Sequence, residues 1–174
     1  MLVSVTPVDS PRTLLLMRHA KSDYPPGVAD HDRPLARRGI REAGLAGDWL
    51  RANVDAVDGV LCSTATRARE TLANTRIDAP VRFTGRLYDA TPGIMIEEIN
   101  TESDEMATLL VVGHEPTMSA LALGLAGGDG SNAAVAERIS TKFPTSAVAV
   151  LSVPCGWKNL ELGRAALVGF EIPR

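Results

Sequence analysis

Residues 13–23, TLLLMRHAKSD, change abruptly from apolar to cationic. An unbroken apolar run ends at Met17, and Arg18, His19 and Lys21 follow it directly. A short, continuous apolar run is typical of a strand that is buried on both faces. Cationic side chains placed at the end of such a strand indicate a turn that presents positive charge to a bound anion.

Composition favours an ordinary globular enzyme or binding domain. The chain has 174 residues, of which 45% are hydrophobic and 22% charged, and this predicts a single domain over residues 1–174. Residues 1–12 contain two prolines, and we expect this segment to be loosely held. A net charge of −3 and an aromatic content of 4% argue against a nucleic-acid partner. An anion site would therefore be a local cationic cluster on a mildly acidic protein.

Compartment is predicted from three features of the sequence. No apolar run approaches the roughly 18 residues needed to span a membrane, so no membrane partner is expected. The first residues, MLVSVTPVDSPR, lack the basic and apolar regions of a signal peptide. Cys62 and Cys155 are predicted to be thiols and not parts of a disulfide framework. The predicted location is the cytoplasm.

Strand-like and helix-like segments alternate through the first 126 residues. Further apolar strands are predicted at 59–63, 81–84 and 108–113, and two more near the end at 146–153 and 165–172. Helical spacing is found between them, and the first helix is predicted to bury the face formed by Ile40, Ala43, Gly44, Ala46 and Leu50. The pattern predicts an α/β fold with three layers, in which helices cover both faces of a mostly parallel central sheet.

Other helices are predicted from residue 92, from about 116 to 125 and from 133 to 139. A further helix would be N-capped by Ser63 or Thr64 and would run to about Thr75. Arg67 then lies near its start, where free backbone N–H groups favour anions and a long side chain leans back toward them. Arginine can grip phosphate oxygens in a bidentate manner.

Three segments of the sequence are predicted to meet at one edge of the sheet. Arg18 and His19 follow the first strand, Arg67 lies just past the second, and His114 follows the strand at 108–113. In an open parallel sheet, ligands bind outside the carboxyl ends of the strands. We therefore expect these four side chains to surround a common site.

Three motifs resemble one family. LLLMRHAKS resembles the R-H-G/A signature of the histidine phosphatase superfamily, STATRARET resembles its S-x-x-x-R-A-x-x-T element, and VVGHEP resembles its second-histidine element. The length and the opening RHAKSD…DRPLARRG look most like the small SixA-type phosphohistidine phosphatases. The resemblance implies a phosphoglycerate mutase-like fold. It also implies that His19 is the phosphorylated nucleophile and that Arg18, Arg67 and His114 clamp the phosphate.

The resemblance implies hydrolysis of a phosphoryl group through a covalent intermediate on His19. Protein phosphohistidine is the leading candidate for the substrate. No metal or other cofactor is expected, because arginines would repel a metal held by His19 and His114 and no third ligand has metal-like spacing. One alternative is a phosphatase of small metabolites such as sugar phosphates. Another is a non-catalytic module that binds phosphate or a phosphoprotein. The expected partner is a phosphorylated protein, including a phosphotransfer protein, or a small phosphate ester.

The general acid is the least defined part of the site. Asp89 in RLYDA and Glu115 beside His114 are the candidates, with Asp89 preferred as the acid and Glu115 also considered for substrate binding. Lys21 and Ser22, in the turn after His19, are candidates for contacting phosphate. His31 is expected to face solvent. An imidazole leaves far more readily than an alkoxide, so a phosphohistidine substrate would need the acid less.

Overall fold

The computed structural model describes residues 10–174, which form six strands and five helices in an alternating order. In chain order they are β1 (Arg12–Arg18), α1 (Arg37–Asn53), β2 (Gly59–Ser63), α2 (Thr66–Thr75), β3 (Val81–Thr84), α3 (Pro92–Asn100), β4 (Thr108–Gly113), α4 (Thr117–Leu125), α5 (Ala133–Thr141), β5 (Val148–Val153) and β6 (Ala166–Glu171). None of these helices is long and apolar enough to cross a bilayer.

The strands form one sheet in the order β3-β2-β4-β1-β5-β6. The pairs β2–β3, β2–β4 and β1–β4 are parallel, whereas β5 runs antiparallel to both β1 and β6. β5 and β6 are the two strands predicted near the end of the chain, and they pair antiparallel. The predicted α/β fold with a mostly parallel central sheet is confirmed.

Alternating side chains of β1 serve the two apolar layers of the fold. Leu14 and Leu16 belong to the cluster that contains the buried residues of α3, α4 and α5. Leu15 and Met17 belong to a second cluster, with buried residues of α1 and α2. This period of two is the pleat of a strand whose faces are both covered. Helices therefore lie on both faces of the sheet, as predicted.

The first residue of β1 is firmly attached. Arg12 is buried, and its guanidinium donates to the carbonyl oxygens of Asp104, at 2.7 Å, and Cys155, at 3.2 Å. The expectation of a loose segment over residues 1–12 therefore does not apply to Arg12, because buried donors of this kind need fixed acceptors. Residues 1–9, the rest of that segment, lie outside the described part of the chain.

The last residues of β1 are held from both sides. The backbone N–H of His19 donates to the carbonyl of Gly113 at the end of β4, at 3.0 Å. On the other side, the N–H of Ser146 donates to the carbonyls of Arg18 and His19, each at 3.2 Å. The turn that carries the candidate nucleophile is thus fixed to the sheet on both flanks.

The buried face of α1 differs from the prediction. Ala43, Ala46 and Leu50 are buried as expected, but Ile40 is 46% exposed. Glu42, which is not part of the predicted face, is also buried, and its carboxylate lies 3.4 Å from Arg38 Nε and 2.9 Å from a terminal nitrogen of Arg174. A buried carboxylate requires such cationic partners, and one of them comes from the far end of the chain.

We expect Gly39→Ala to lower the free energy of unfolding by about 1–3 kcal/mol through overpacking. Gly39 lies in α1 where this helix crosses the turn after His19, and a Cβ there would sit 2.1 Å from the carbonyl oxygen of Lys21. Gly44→Ala in the same helix is the matched control, since its nearest contact would be at 3.8 Å. The control should gain up to about 1 kcal/mol from helix propensity. Urea denaturation measures both, and equal effects would contradict the packing assigned to Gly39.

Candidate active site

The carboxyl ends of β1 and β4 place two histidines side by side. The ring centroids of His19 and His114 are 5.1 Å apart, and the rings are tilted by 52°. Arg67, in the first turn of α2, brings its Nε to 3.3 Å from His19 Nε2. Arg18, the last residue of β1, completes the group. The structure therefore brings together the four side chains that were expected to share a site.

Hydrogen bonds fix the tautomer of His19. Its Nδ1 lies 2.7 Å from the carbonyl oxygen of Ala20, which can only accept, so Nδ1 carries the proton. Its Nε2 faces the Nε–H of Arg67, which can only donate, so Nε2 presents a lone pair. Both contacts agree on one neutral imidazole, whose free nitrogen points toward the guanidinium.

The neutral state of His19 is strongly favoured by its surroundings. Burial, together with the charges of His114, Arg67 and Arg18, lowers the pKa of His19 from its ordinary value of 6.5 to about 3, against the opposing bond to Ala20. The ring is therefore a neutral nucleophile throughout the physiological range of pH.

His114 is held on one side and open on the other. Its Nε2 lies 2.8 Å from the hydroxyl of Ser63, which also accepts the backbone N–H of Ala65. When the Ser63 hydroxyl donates its proton to Nε2, the ring proton lies on Nδ1. That Nδ1 is buried and has no partner among the described residues. Burial, followed by the charge of Arg67, lowers the pKa of His114 to about 4, so the ring is neutral near physiological pH.

Ser63 does not cap α2, and neither does Thr64. The N-cap residue is Ala65, which makes no side-chain capping bond. The reason is that the Ser63 hydroxyl is engaged by His114 and the Thr64 hydroxyl by His31, at 3.0 Å. Arg67 is therefore one or two residues closer to the helix start than predicted, and its side chain reaches the site from there.

Arg18 is only partly satisfied by the protein. One terminal nitrogen donates to the carbonyl of Phe143 at 2.9 Å, while its Nε is buried and has no partner in residues 10–174. Burial lowers the pKa of Arg18, and the negative charge of Glu115 opposes this shift. Its charge acts on both His19 and His114. Arg18 thus adds positive charge to the site and retains a donor without an acceptor.

Two further side chains, Asp30 and Tyr88, were missed by the sequence analysis. Asp30 starts a short 3-10 turn before α1, and both its carbonyl oxygen and its carboxylate accept from the terminal nitrogens of Arg67, at 2.7 and 3.2 Å. The hydroxyl of Tyr88 donates to the same carboxylate in a short hydrogen bond. The ring of Tyr88 stands edge-on to His114, with centroids 5.5 Å apart. Two features of the sequence could have indicated these residues. Asp30 lies in a charged loop, and Tyr88 is next to Asp89, which was predicted for the site.

His31 is less exposed than expected. It lies in the turn with Asp30, its Nε2 is hydrogen-bonded to Thr64, and its ring stands edge-on to Tyr88 with centroids 5.0 Å apart. It therefore belongs to the rim of the site.

Lys21 and Ser22, in the turn after His19, differ in burial and in the contacts that their side chains make. Lys21 is half-buried, and its ammonium lies 5.7 Å from the ring of Tyr24. Ser22 is buried, and its hydroxyl accepts from Arg33 at 2.7 Å. Ser22 thus supports the loop that carries Arg33, and this differs from the direct phosphate contact predicted for it.

The two candidate acids lie in contrasting settings. Glu115 directs its carboxylate to the start of α4, where it accepts the backbone N–H and the hydroxyl of Ser119 at 2.7 and 2.8 Å. Asp89 is exposed, has a left-handed backbone with φ of 54°, and makes no side-chain hydrogen bond or ion pair with residues 10–174. Glu115 is therefore committed to a helix terminus, whereas the Asp89 carboxylate is available.

Thr71 explains the last position of the STATRARET motif. Its hydroxyl accepts the N–H of Ala20 at 2.8 Å and donates to the carbonyl of Arg67 at 2.6 Å. This single side chain joins the turn after His19 to α2, so that nucleophile and arginine share one support.

A metal site built on the two histidines lacks a third ligand. In residues 10–174 no three His, Cys, Asp or Glu side chains are grouped so that they could hold a metal ion. His19 Nε2 instead faces the cation Arg67, whose Nε lies 3.3 Å away.

Comparisons with known proteins agree with this geometry. The model of the histidine phosphatase superfamily (branch 1) matches residues 14–101. An uncharacterized protein of Mycobacterium tuberculosis (strain ATCC 25618 / H37Rv) is 70% identical over 158 residues, which are 91% of this chain and all of that protein.

Solved structures are similar over nearly the whole chain. A candidate phosphohistidine phosphatase SixA from Nakamurella multipartitia is 39% identical, with a TM-score of 0.86 over 94% of this chain and 96% of that one. Another, from Agrobacterium tumefaciens, is 29% identical, with a TM-score of 0.77 over 94% and 99%. The predicted family and the predicted phosphatase class are thereby confirmed. The chain belongs to the histidine phosphatase superfamily and, within it, to the SixA-type branch.

Proposed function

We propose that this phosphatase hydrolyses protein phosphohistidine through a covalent phosphohistidine on His19. The observation that carries the proposal is the fixed neutral tautomer of His19, whose Nε2 lone pair faces Arg67. A nucleophile needs that lone pair, whereas a module that only binds phosphate does not. The similar solved proteins described as SixA phosphohistidine phosphatases support this choice of substrate.

Substrate binding would first free the nucleophile. The Nε–H of Arg67 donates to the lone pair of His19 Nε2. An arriving phosphoryl oxygen is a stronger, charged acceptor for that donor. As Arg67 turns its Nε–H to the oxygen, the lone pair of Nε2 is released beside the phosphorus atom.

Attack then transfers the phosphoryl group. Nε2 of His19 forms a bond to phosphorus while the bond from phosphorus to the substrate imidazole breaks, and the departing nitrogen takes up a proton. Arg67, Arg18 and the Nδ1–H of His114 would hold the three other oxygens, where negative charge accumulates. The Ala20 carbonyl, which accepts the Nδ1–H of His19, stabilises the positive charge that the ring gains.

Hydrolysis of the intermediate completes the cycle. Water attacks the phosphorus of the phosphorylated His19, the P–N bond breaks, and inorganic phosphate leaves while the neutral imidazole is restored. The same three donors serve this second step, since the charge again develops on the same oxygens.

Asp89 is the proposed general acid, because its carboxylate is exposed and has no partner within residues 10–174, while that of Glu115 is bound to Ser119. Lys21 is proposed to meet the substrate at the rim, where Tyr24 is 69% exposed and Arg33 stacks on its ring at 4.0 Å. A projecting aromatic and cationic rim suits a phosphoryl group carried by a protein. The cytoplasm stays the predicted compartment, in keeping with the free thiols Cys62 and Cys155.

The covalent intermediate can be trapped directly. Brief incubation with a protein carrying ³²P-labelled phosphohistidine should give an acid-labile, base-stable label on the native chain and none on His19→Ala. Inorganic phosphate should still bind to His19→Ala, because the arginines remain. A native chain that binds phosphate but is never labelled would identify a binding module. Faster turnover of a sugar phosphate than of phosphohistidine would identify a metabolite phosphatase.

Asp89→Asn should affect substrates according to their leaving group. For an alkyl phosphomonoester we expect kcat to fall by about 100-fold, since an alkoxide needs a proton as it departs. For phosphohistidine the loss should be within about threefold, because the imidazole leaves readily. Steady-state kinetics on both substrates make the comparison, with Glu115→Gln as the parallel variant. A selective loss in Glu115→Gln instead would move the role to Glu115.

The free energy of unfolding should fall as pH is lowered from about 6.5 toward 4. The histidine pKa values of about 3 and 4 in the folded protein lie below the ordinary 6.5, so in this window the unfolded chain binds more protons. Each histidine that is protonated in the unfolded chain but neutral in the folded protein contributes a slope of about 1.4 kcal/mol per pH unit to the free energy of unfolding. Urea titrations at several pH values should give a shallower slope for His19→Asn than for the native chain. Identical slopes for native chain and His19→Asn would show that His19 is not buried in its neutral form.

A further inference from the structure

Arg67 is held from two opposite sides. Its Nε donates to His19, while both terminal nitrogens donate to Asp30, one to the carbonyl oxygen and one to the carboxylate. A guanidinium is a rigid plane, so fixing the two terminal nitrogens also fixes the direction of the Nε–H bond. The side of Arg67 that faces Asp30 is thus distinct from the side that faces the nucleophile.

Asp30 is in turn held by two other residues. One carboxylate oxygen accepts from Tyr88 as well as from Arg67, and the other accepts from Arg33 Nε at 3.0 Å. Arg33 is itself anchored on the Ser22 hydroxyl at 2.7 Å. The carboxylate thereby joins loops that follow β1 and β3 to the start of α2.

We propose that Asp30 is a positioning residue, which captures the terminal nitrogens of Arg67 and so aims its Nε–H at the nucleophilic nitrogen of His19. The kinetic consequences of this proposal rest on the proposed function, whereas the geometry of the contacts does not depend on it. A phosphoryl group entering between Arg67 and His19 would replace His19 as the acceptor of the Nε–H. Asp30 would keep its own contacts, and Arg67 would stay oriented through the cycle.

The negative charge of Asp30 makes a second consequence unavoidable. Its carboxylate lies beside the arginine that is to hold an anion, so it weakens that anion's binding by Coulomb repulsion. Removal of the charge should therefore favour binding of inorganic phosphate even while it misaligns the arginine. A residue that merely supported the loop would, on removal, weaken both phosphate binding and turnover together.

The test compares Asp30→Asn with Asp32→Asn on the full chain. Asp32 lies in the same turn, its side chain is 70% exposed, and its nearest ionic contact is His31 at 3.6 Å. For Asp30→Asn we expect kcat with phosphohistidine to fall by about 10- to 100-fold, as for a displaced catalytic group. Calorimetry should show inorganic phosphate bound at least as tightly as by the native chain. Asp32→Asn should match the native chain in both measurements.

A substrate-free measurement keeps this proposal separable from the proposed function. In ¹⁵N spectra of the imidazoles, the Nε2 resonance of His19 should move in Asp30→Asn toward the position of a nitrogen that accepts no hydrogen bond. An unchanged resonance, unchanged kcat, or equal losses of kcat and phosphate affinity would each overturn the role of Asp30. If the native chain turns over no substrate, the proposed function is wrong, and the imidazole spectra still decide whether Asp30 aims Arg67.

Discussion

The site depends on keeping an uncharged imidazole buried between positive charges. His19 is 7% exposed and lies within hydrogen-bonding distance of Arg67, which would be unfavourable for an imidazolium. The carbonyl of Ala20 settles which nitrogen carries the single proton. Cationic neighbours thus do two things at once, because they attract the substrate's phosphoryl group and keep its attacker unprotonated. His114 is likewise held by Ser63, and its buried Nδ1 has no acceptor among the residues that the structure describes.

Chain segments far apart in sequence maintain this arrangement. Parallel pairing of β1, β2 and β4 brings the ends of three strands to one edge. Thr71 then ties the turn after His19 to α2, and Gly39 lets α1 approach that turn closely. The site is consequently a product of sheet topology and of a few close contacts, and it needs no elaborate loop of its own.

Much of this could be predicted from the sequence, because continuous apolar runs such as 59–63 and 108–113 mark buried strands with little ambiguity. Their order and their flanking cations were sufficient to bring Arg18, His19, Arg67 and His114 to one edge. What depends on long-range pairing of polar groups was not predictable. Tyr88 meets Asp30 from 58 positions away, and both lie in connecting segments where no hydrophobic periodicity marks them. Likewise, the buried carboxylate of Glu42 is paired with Arg174, which comes from the end of the chain. Ser63 does not cap α2, and its hydroxyl is hydrogen-bonded to His114 instead.

The attachment of β1 at both ends has a consequence for how the site is lost. Arg12 fixes the start of the strand to the segments around Asp104 and Cys155, and the backbone N–H groups of His19 and Ser146 lock its end between β4 and the segment before β5. Local fraying cannot release the nucleophile while these bonds persist, since β1 lies in the interior of the sheet. Amide hydrogens around His19 therefore belong to the part of the molecule that exchanges with solvent only through global opening. Inactivation by heat or denaturant and collapse of the central sheet are accordingly one event.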